Sequence, residues 1–179
     1  MALWREAAIR GRFRLHTPGT APESRPDGKG TRLAMADHQE ASVTLPSVPV
    51  SVTAARRYVT DALAEWGIAG GAGRNDLADT IRLIVSELAT NAVVHTSGLS
   101  PTFTVDVRLE HDETLRVGVT DSHPRRPRRL PAAVRQDNGR GMAIVRALAA
   151  ELGGGLTVEP TAEGGKTVWI TLPLRASLD

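Results

Sequence analysis

Leu77, Ile81, Ile84, Leu88 and Ala92 recur at the spacing that places them on one stripe of an α-helix, while Asp79, Arg82, Ser86 and Val93 fall broadly opposite. Glu87, Asn91 and His95 then follow one another at every fourth position, about 100°, 60° and 20° from the centre of the apolar stripe. A carboxylate, an amide and an imidazole therefore stand at the margin of a buried face. Leaving such groups unpaired costs about 2 kcal/mol or more each, so something polar must meet them. Neighbouring backbone could do so, as for ordinary buried polar residues. Carboxylate and amide oxygens on adjacent turns can also hold Mg²⁺, which keeps some waters and commonly bridges to phosphate.

The remaining pattern places this helix in an α+β fold. Val43 and Leu45 alternate in a short strand before Pro46 and Pro49. Val52, Ala55, Val59, Ala62, Leu63 and Trp66 predict a helix from about Val50, stopped at Gly67. After the glycines at 70, 71 and 73, Asn75 or Asp76 is expected to cap the polar-striped helix, which should run to about Thr96. Strands are predicted at 102–109 and 114–120, a Pro/Arg-rich loop at 122–138 and a helix from about Gly141 to Leu152. Two closing strands follow, near 156–159 and 166–172. Strands grouped in this way imply a two-layer α/β sandwich, with helices on one face of a mixed, mostly antiparallel sheet.

With 179 residues and 41% of them hydrophobic, the chain supports one domain with a real core, assigned to 35–179, and one appendage at 1–34. The appendage carries seven basic and three acidic residues, and Pro18, Gly19, Pro22, Pro26, Gly28 and Gly30 oppose regular structure there. It is expected to be largely disordered: either an Arg-rich arm for targeting or a membrane surface, or a dispensable extension ahead of a start at Met35. The rest holds fifteen basic and seventeen acidic residues, so the overall net charge of +2 belongs to the appendage. With six aromatics in all, a base-stacking surface is poorly supplied, and direct nucleic-acid binding is not expected. Zero cysteines exclude disulfides and thiolate chemistry, consistent with a cytoplasmic protein. Glu87 and Arg146 interrupt the best apolar runs, so no spanning helix is expected.

Two further segments carry chemistry. Asp137-Asn138-Gly139-Arg140-Gly141-Met142 opens a helix, where glycines let backbone amides and the helix dipole approach an anion, although a plain loop-to-helix turn reads the same way. Val117-Gly118-Val119 builds a strand that delivers Asp121 at its end, either as a turn residue or as an acceptor for an amino group. Gly164-Gly165-Lys166-Thr167 looks like part of a P-loop. That motif needs a glycine where Pro160 stands and a helix where Val168-Trp169-Ile170 predicts a strand.

In order and spacing, Glu87-Leu88-Ala89-Thr90-Asn91-Ala92-Val93-Val94-His95, Asp121, Gly139-Arg140-Gly141-Met142 and Gly165-Lys166-Thr167-Val168-Trp169 resemble four elements of the histidine-kinase-like (GHKL, Bergerat) ATPases. The resemblance spans about 41–174. The Glu-x-x-x-Asn-Ala-x-x-His form is similar to that of bacterial anti-sigma-factor serine/threonine kinases and their ATP-binding regulatory relatives. It implies ATP and Mg²⁺ as cofactors, with Asn91 coordinating Mg²⁺ and Glu87 orienting or deprotonating the attacking hydroxyl. It further implies that Asp121 recognises adenine with support from the Thr167 hydroxyl, and that Gly139, Arg140, Gly141 and Met142 line the phosphates, Arg140 nearest the γ-phosphate. His95 matches the family position, with packing against the sheet as its simplest role. The implied partners are a small anti-sigma-factor antagonist protein and a sigma factor, and the family allows a homodimer.

The first glycine element departs from the family. Where Asp-x-Gly-x-Gly is usual, Asp121-Ser122-His123-Pro124-Arg125 puts His123 and Arg125 in place of the glycines, and Pro124 stiffens the root of the loop. Arg125, Arg126, Arg128, Arg129 and Arg135 make that loop basic, fit to steer ATP, to dock an acidic partner, to contact phosphates or simply to face solvent. Two functions follow: a kinase carrying Glu87 as its catalytic residue, and a non-catalytic module in which ATP sets the conformation that recognises a partner.

Overall fold

The computed structural model describes residues 12–15, 38–68, 74–95, 100–111, 113–123 and 140–174. In chain order these form β1 (Arg12–Leu15), β2 (His38–Pro46), α1 (Val50–Glu65), α2 (Arg74–His95), β3 (Thr102–Glu110), β4 (Thr114–Asp121), α3 (Arg140–Glu151), β5 (Gly155–Pro160) and β6 (Lys166–Pro173). The strands lie in one open sheet in the order β1-β2-β3-β4-β6-β5. Every pairing is antiparallel, which bears out the two-layer α+β sandwich on a mostly antiparallel sheet and leaves no parallel pair among the described strands. Five strands make the body of the sheet, and the four-residue β1 adds an edge against β2. That strand lies inside the segment expected to lack regular structure. The remainder of 1–37 is outside the described residues.

The helices end where the sequence places their stops. In α1 the Gly67 N–H donates to the Ala64 carbonyl (3.1 Å) and the Ile68 N–H to that of Leu63 (2.9 Å). In α3 the N–H groups of Gly153 and Gly154 donate to the carbonyls of Ala150 (2.9 Å) and Ala149 (2.8 Å). Both are Schellman closures, and both need the positive φ of 69° that Gly67 and Gly153 supply. At the other end α2 begins at Arg74. Asn75 and Asp76 therefore lie inside its first turn instead of capping it, and Asp76 complements the helix dipole there.

One face of the sheet packs on the helices. Ile81, Ile84, Val85, Leu88, Ala89 and Ala92 of α2 meet Val105, Val107, Val117, Val119 and Ile170 in a single buried cluster that also takes Val59 and Leu63 from α1 and Val145 from α3. Among the described residues no helix covers the other face. There Trp169 lies across Gly118, its strand partner, and the guanidinium groups of Arg108 and Arg116 stand over the ring at 5.0 and 4.7 Å from its centroid. The indole is 6% exposed, and among the described residues the stacked arginines and the missing side chain at 118 are what seat it there. Among the described residues no helix is long and apolar enough to cross a membrane.

Two predictions follow from this open face. A Cβ at position 118 would stand 2.6 Å from the Trp169 ring carbons, so Gly118→Val should lose about 1–3 kcal/mol in urea unfolding and expose the indole to water in its fluorescence. Burial holds the Asp106 carboxyl above its ordinary value of 3.8, while the Ser42 hydroxyl (2.7 Å) and Arg108 pull it down. A carboxyl raised on folding stabilises the protein below its unfolded value and loses that contribution as the pH rises through the folded value. Asp106→Asn should therefore raise stability near neutral pH relative to the parent. The gain should shrink as the pH falls toward 3.8, as read by urea unfolding at a series of pH values.

Candidate functional site

Alternation along β4 puts Leu115, Val117, Val119 and Asp121 toward the helices and Arg116, Gly118 and Thr120 away from them. The register Asp121↔Lys166, Thr120↔Thr167 carries this division across to β6. Asp121 and Lys166 thus share the helix side at the end of the sheet. Asp121 is 6% exposed, and its Oδ1 accepts from Lys166 Nζ at 2.8 Å and from the His123 N–H at 2.9 Å. Lys166 Nζ also donates to the His123 carbonyl at 3.3 Å. Gly165 lies against the Asp121–Ser122 backbone so closely that a Cβ there would overlap the Asp121 carbonyl oxygen. The Ser122 N–H is held by the Ser100 hydroxyl at 3.0 Å.

Thr167 does not reach this group. Its hydroxyl is paired with that of Thr120 at 2.8 Å on the opposite face, so the expected support of Asp121 by Thr167 is corrected: Lys166 supplies that contact. Sequence reasoning placed Lys166 in a failed P-loop and inside the closing family element, in both without a role of its own. The signal that could have found it is parity, because Lys166 stands two residues before the apolar Val168 and Thr167 two before Trp169.

A second group forms where α2 meets α3. Glu87 and Asn91 are half-buried on α2, one turn apart. Gly141, in the first turn of α3, approaches the Glu87 carboxylate so closely that a Cβ at 141 would overlap Oε2. Met142 next to it packs against the core. Asn91 Nδ2 is buried and has no hydrogen-bond partner among the described residues. An orphaned amide donor costs about 1–3 kcal/mol; Ser47 Oγ, Trp66 Nε1 and Arg116 Nε, all outside α2, are in the same condition, and Asn91 differs from them in lying one turn from Glu87. Helix α2 packs on both β4, which carries Asp121, and α3, which carries Gly141. Gly139, the side chains of His95 and Arg140, and the arginines at 125, 126, 128, 129 and 135 lie outside the described residues.

An open groove of about 560 Å³ lies elsewhere, on the outer side of α1 and α2, lined by Thr53, Arg56, Arg57, Thr60, Asp61, Arg82, Leu83 and Ser86. It contains none of the predicted site residues. Among the described residues there is no cluster of three or more His, Asp or Glu side chains able to cage a metal.

With this geometry in place, comparison with known proteins gives one decisive match. The family described as histidine kinase-, DNA gyrase B-, and HSP90-like ATPase matches residues 76–176, from the first turn of α2 to beyond the end of β6. The chain belongs to this family. Its open antiparallel sheet with three helices is the family's ATP-binding fold, a fold of kinases and ATPases, and the domain binds ATP. Among solved structures, the histidine kinase domain of the Erythrobacter litoralis EL346 blue-light activated histidine kinase is similar at 32% identity over 54% of this chain and 44% of that one, with a TM-score of 0.42. A structure of the EL346 blue-light activated histidine kinase is similar at 34% identity over 56% of this chain and 34% of that one, with a TM-score of 0.40. The chain thus spans less than half the length of either kinase structure. No curated protein matches it.

The two glycine contacts predict opposite outcomes. Gly141→Ala meets only the tip of a flexible glutamate and should unfold within about 1 kcal/mol of the parent. Gly165→Ala meets backbone and should lose about 1–3 kcal/mol, as thermal unfolding of the two variants would show.

Proposed function

We propose that this domain is a Mg-ATP-dependent serine/threonine kinase of the anti-sigma-factor type, acting in the cytoplasm on a small antagonist protein and sequestering a sigma factor, as a monomer or a homodimer. The observation that carries the reading is the pairing on α2: Glu87 held against the glycine that opens α3, one turn before an asparagine with an orphaned amide.

The residues present fit the cofactor. The Asn91 carboxamide oxygen would hold Mg²⁺, leaving the other ligand positions to phosphate oxygens and water, the usual arrangement for this ion. Backbone amides at Gly139 and Gly141 would receive the phosphates at the α3 N-terminus, with Met142 beside them and Arg140 toward the γ-phosphate. The second carboxylate oxygen of Asp121, which takes no hydrogen bond from the described residues, would accept from the adenine amino group. Bound Mg-ATP supplies the phosphoryl group and the charge neutralisation. Glu87 orients the serine or threonine hydroxyl and accepts its proton. Positioning and electrostatics bring most of the catalysis in such a transfer, so little further machinery is required.

A specific observation favours the second reading, a non-catalytic ATP-dependent module. His123 replaces the first glycine, is buried, and has both its N–H and its carbonyl engaged with the Asp121–Lys166 pair, which fixes the root of the following loop.

Titration calorimetry with ATP, with and without Mg²⁺, should show binding strengthened by the metal in the parent and not in Asn91→Ala. That variant should stay folded, since the Nδ2 it loses has no partner among the described residues. With labelled ATP and a cognate antagonist, Glu87→Ala should bind nucleotide normally and transfer phosphate at least about 100-fold more slowly. Nucleotide binding by the parent with no phosphoprotein formed would decide for the second reading.

A further inference from the structure

The ion pair at the end of β4 and β6 contains more hydrogen-bonding capacity than the fold uses. A lysine ammonium has three N–H donors, and Lys166 spends two of them, on Asp121 Oδ1 at 2.8 Å and on the His123 carbonyl at 3.3 Å. Both hydrogen bonds from described residues fall on Oδ1 of Asp121, which leaves Oδ2. The two side chains are 12% and 7% exposed, on the helix-facing side of the sheet, and fixed from several directions by strand register, by the His123 backbone and by the close seat of Gly165. Their charges cancel, so a neutral ligand can approach without facing an uncompensated charge. Among the described residues, what remains is one acceptor on Asp121 and one donor on Lys166.

We infer that Lys166 is a base-reading residue: its third N–H donates to ring nitrogen N1 of the adenine whose amino group Asp121 Oδ2 accepts. The inference rests on the assignment of Asp121 as the adenine acceptor. Adenine presents the complementary pair on its Watson–Crick edge, the N6 amino donor next to the N1 acceptor, and enzymes that read isolated bases do so along that edge. Thr167 cannot share the task, since its hydroxyl is paired with Thr120 on the other face. A lysine that only staples two strands would be indifferent to N1.

Chemical substitution of the nucleotide separates the two roles without altering the fold. Calorimetric titration of the full chain with ATP, with 1-deaza-ATP, in which N1 becomes C–H, and with purine riboside triphosphate, which lacks the amino group, should give affinities about tenfold or more weaker for both analogues. In Lys166→Met the 1-deaza penalty should vanish while the amino-group penalty persists. Should that variant not fold, the parent comparison still decides. Equal binding of ATP and 1-deaza-ATP by the parent, with purine riboside triphosphate weaker, overturns the role of Lys166 and leaves Asp121 standing. Equal binding of all three, or none of ATP, overturns both.

Discussion

The antiparallel pairing of β4 with β6 is the constraint on which the site depends. Two strands far apart in sequence, with α3 and β5 between them, come into register so that Asp121 meets Lys166 and Thr120 meets Thr167. In a pleated sheet that choice assigns every side chain along both strands to a face. The same register lays Trp169 over Gly118 on the open side and Val119 beside Val168 on the packed side. Core, open face and ion pair are three consequences of one alignment.

Helix α2 ties this end of the sheet to α3. Its apolar stripe is buried on the strands, and its margin meets the first turn of α3. At 141 a Cβ would meet only the tip of the Glu87 side chain, whereas at 165 it would meet the Asp121–Ser122 backbone, so it is the ion pair that needs glycine. The protein accepts a buried amide at Asn91 with no partner among the described residues. Ser47, Trp66 and Arg116 also carry buried polar atoms without a partner among the described residues, and what distinguishes Asn91 from them is its place one turn from Glu87 and the close seat of Gly141.

Much of the architecture was legible in the residues. The helix at 50–65 and its closure at Gly67, the helix at 140–151 and its closure at Gly153, and the two hairpin strands around His111 follow from apolar spacing and from glycines able to take positive φ. These are local signals, each confined to a single element. Less legible was what one element does to another: the start of α2 at Arg74, the antiparallel sense of every pairing in a sheet read as mostly antiparallel, and the short edge strand at Arg12–Leu15. An edge strand's four residues are ordered by the partner they bond to, and carry little pattern of their own.

For the site itself the division is the same. Glu87 and Asn91 fell on one margin of a helix because 3.6 residues per turn put them there, and Asp121 fell at a strand end because the alternation of β4 ran out at that point. Periodicity along the chain sufficed for those three. Which residue of β6 would face Asp121 depended on an alignment between strands 45 positions apart, and a shift of one residue exchanges a threonine for a lysine. Only the folded sheet made that choice, because side-chain direction in a strand is fixed by the neighbour it pairs with.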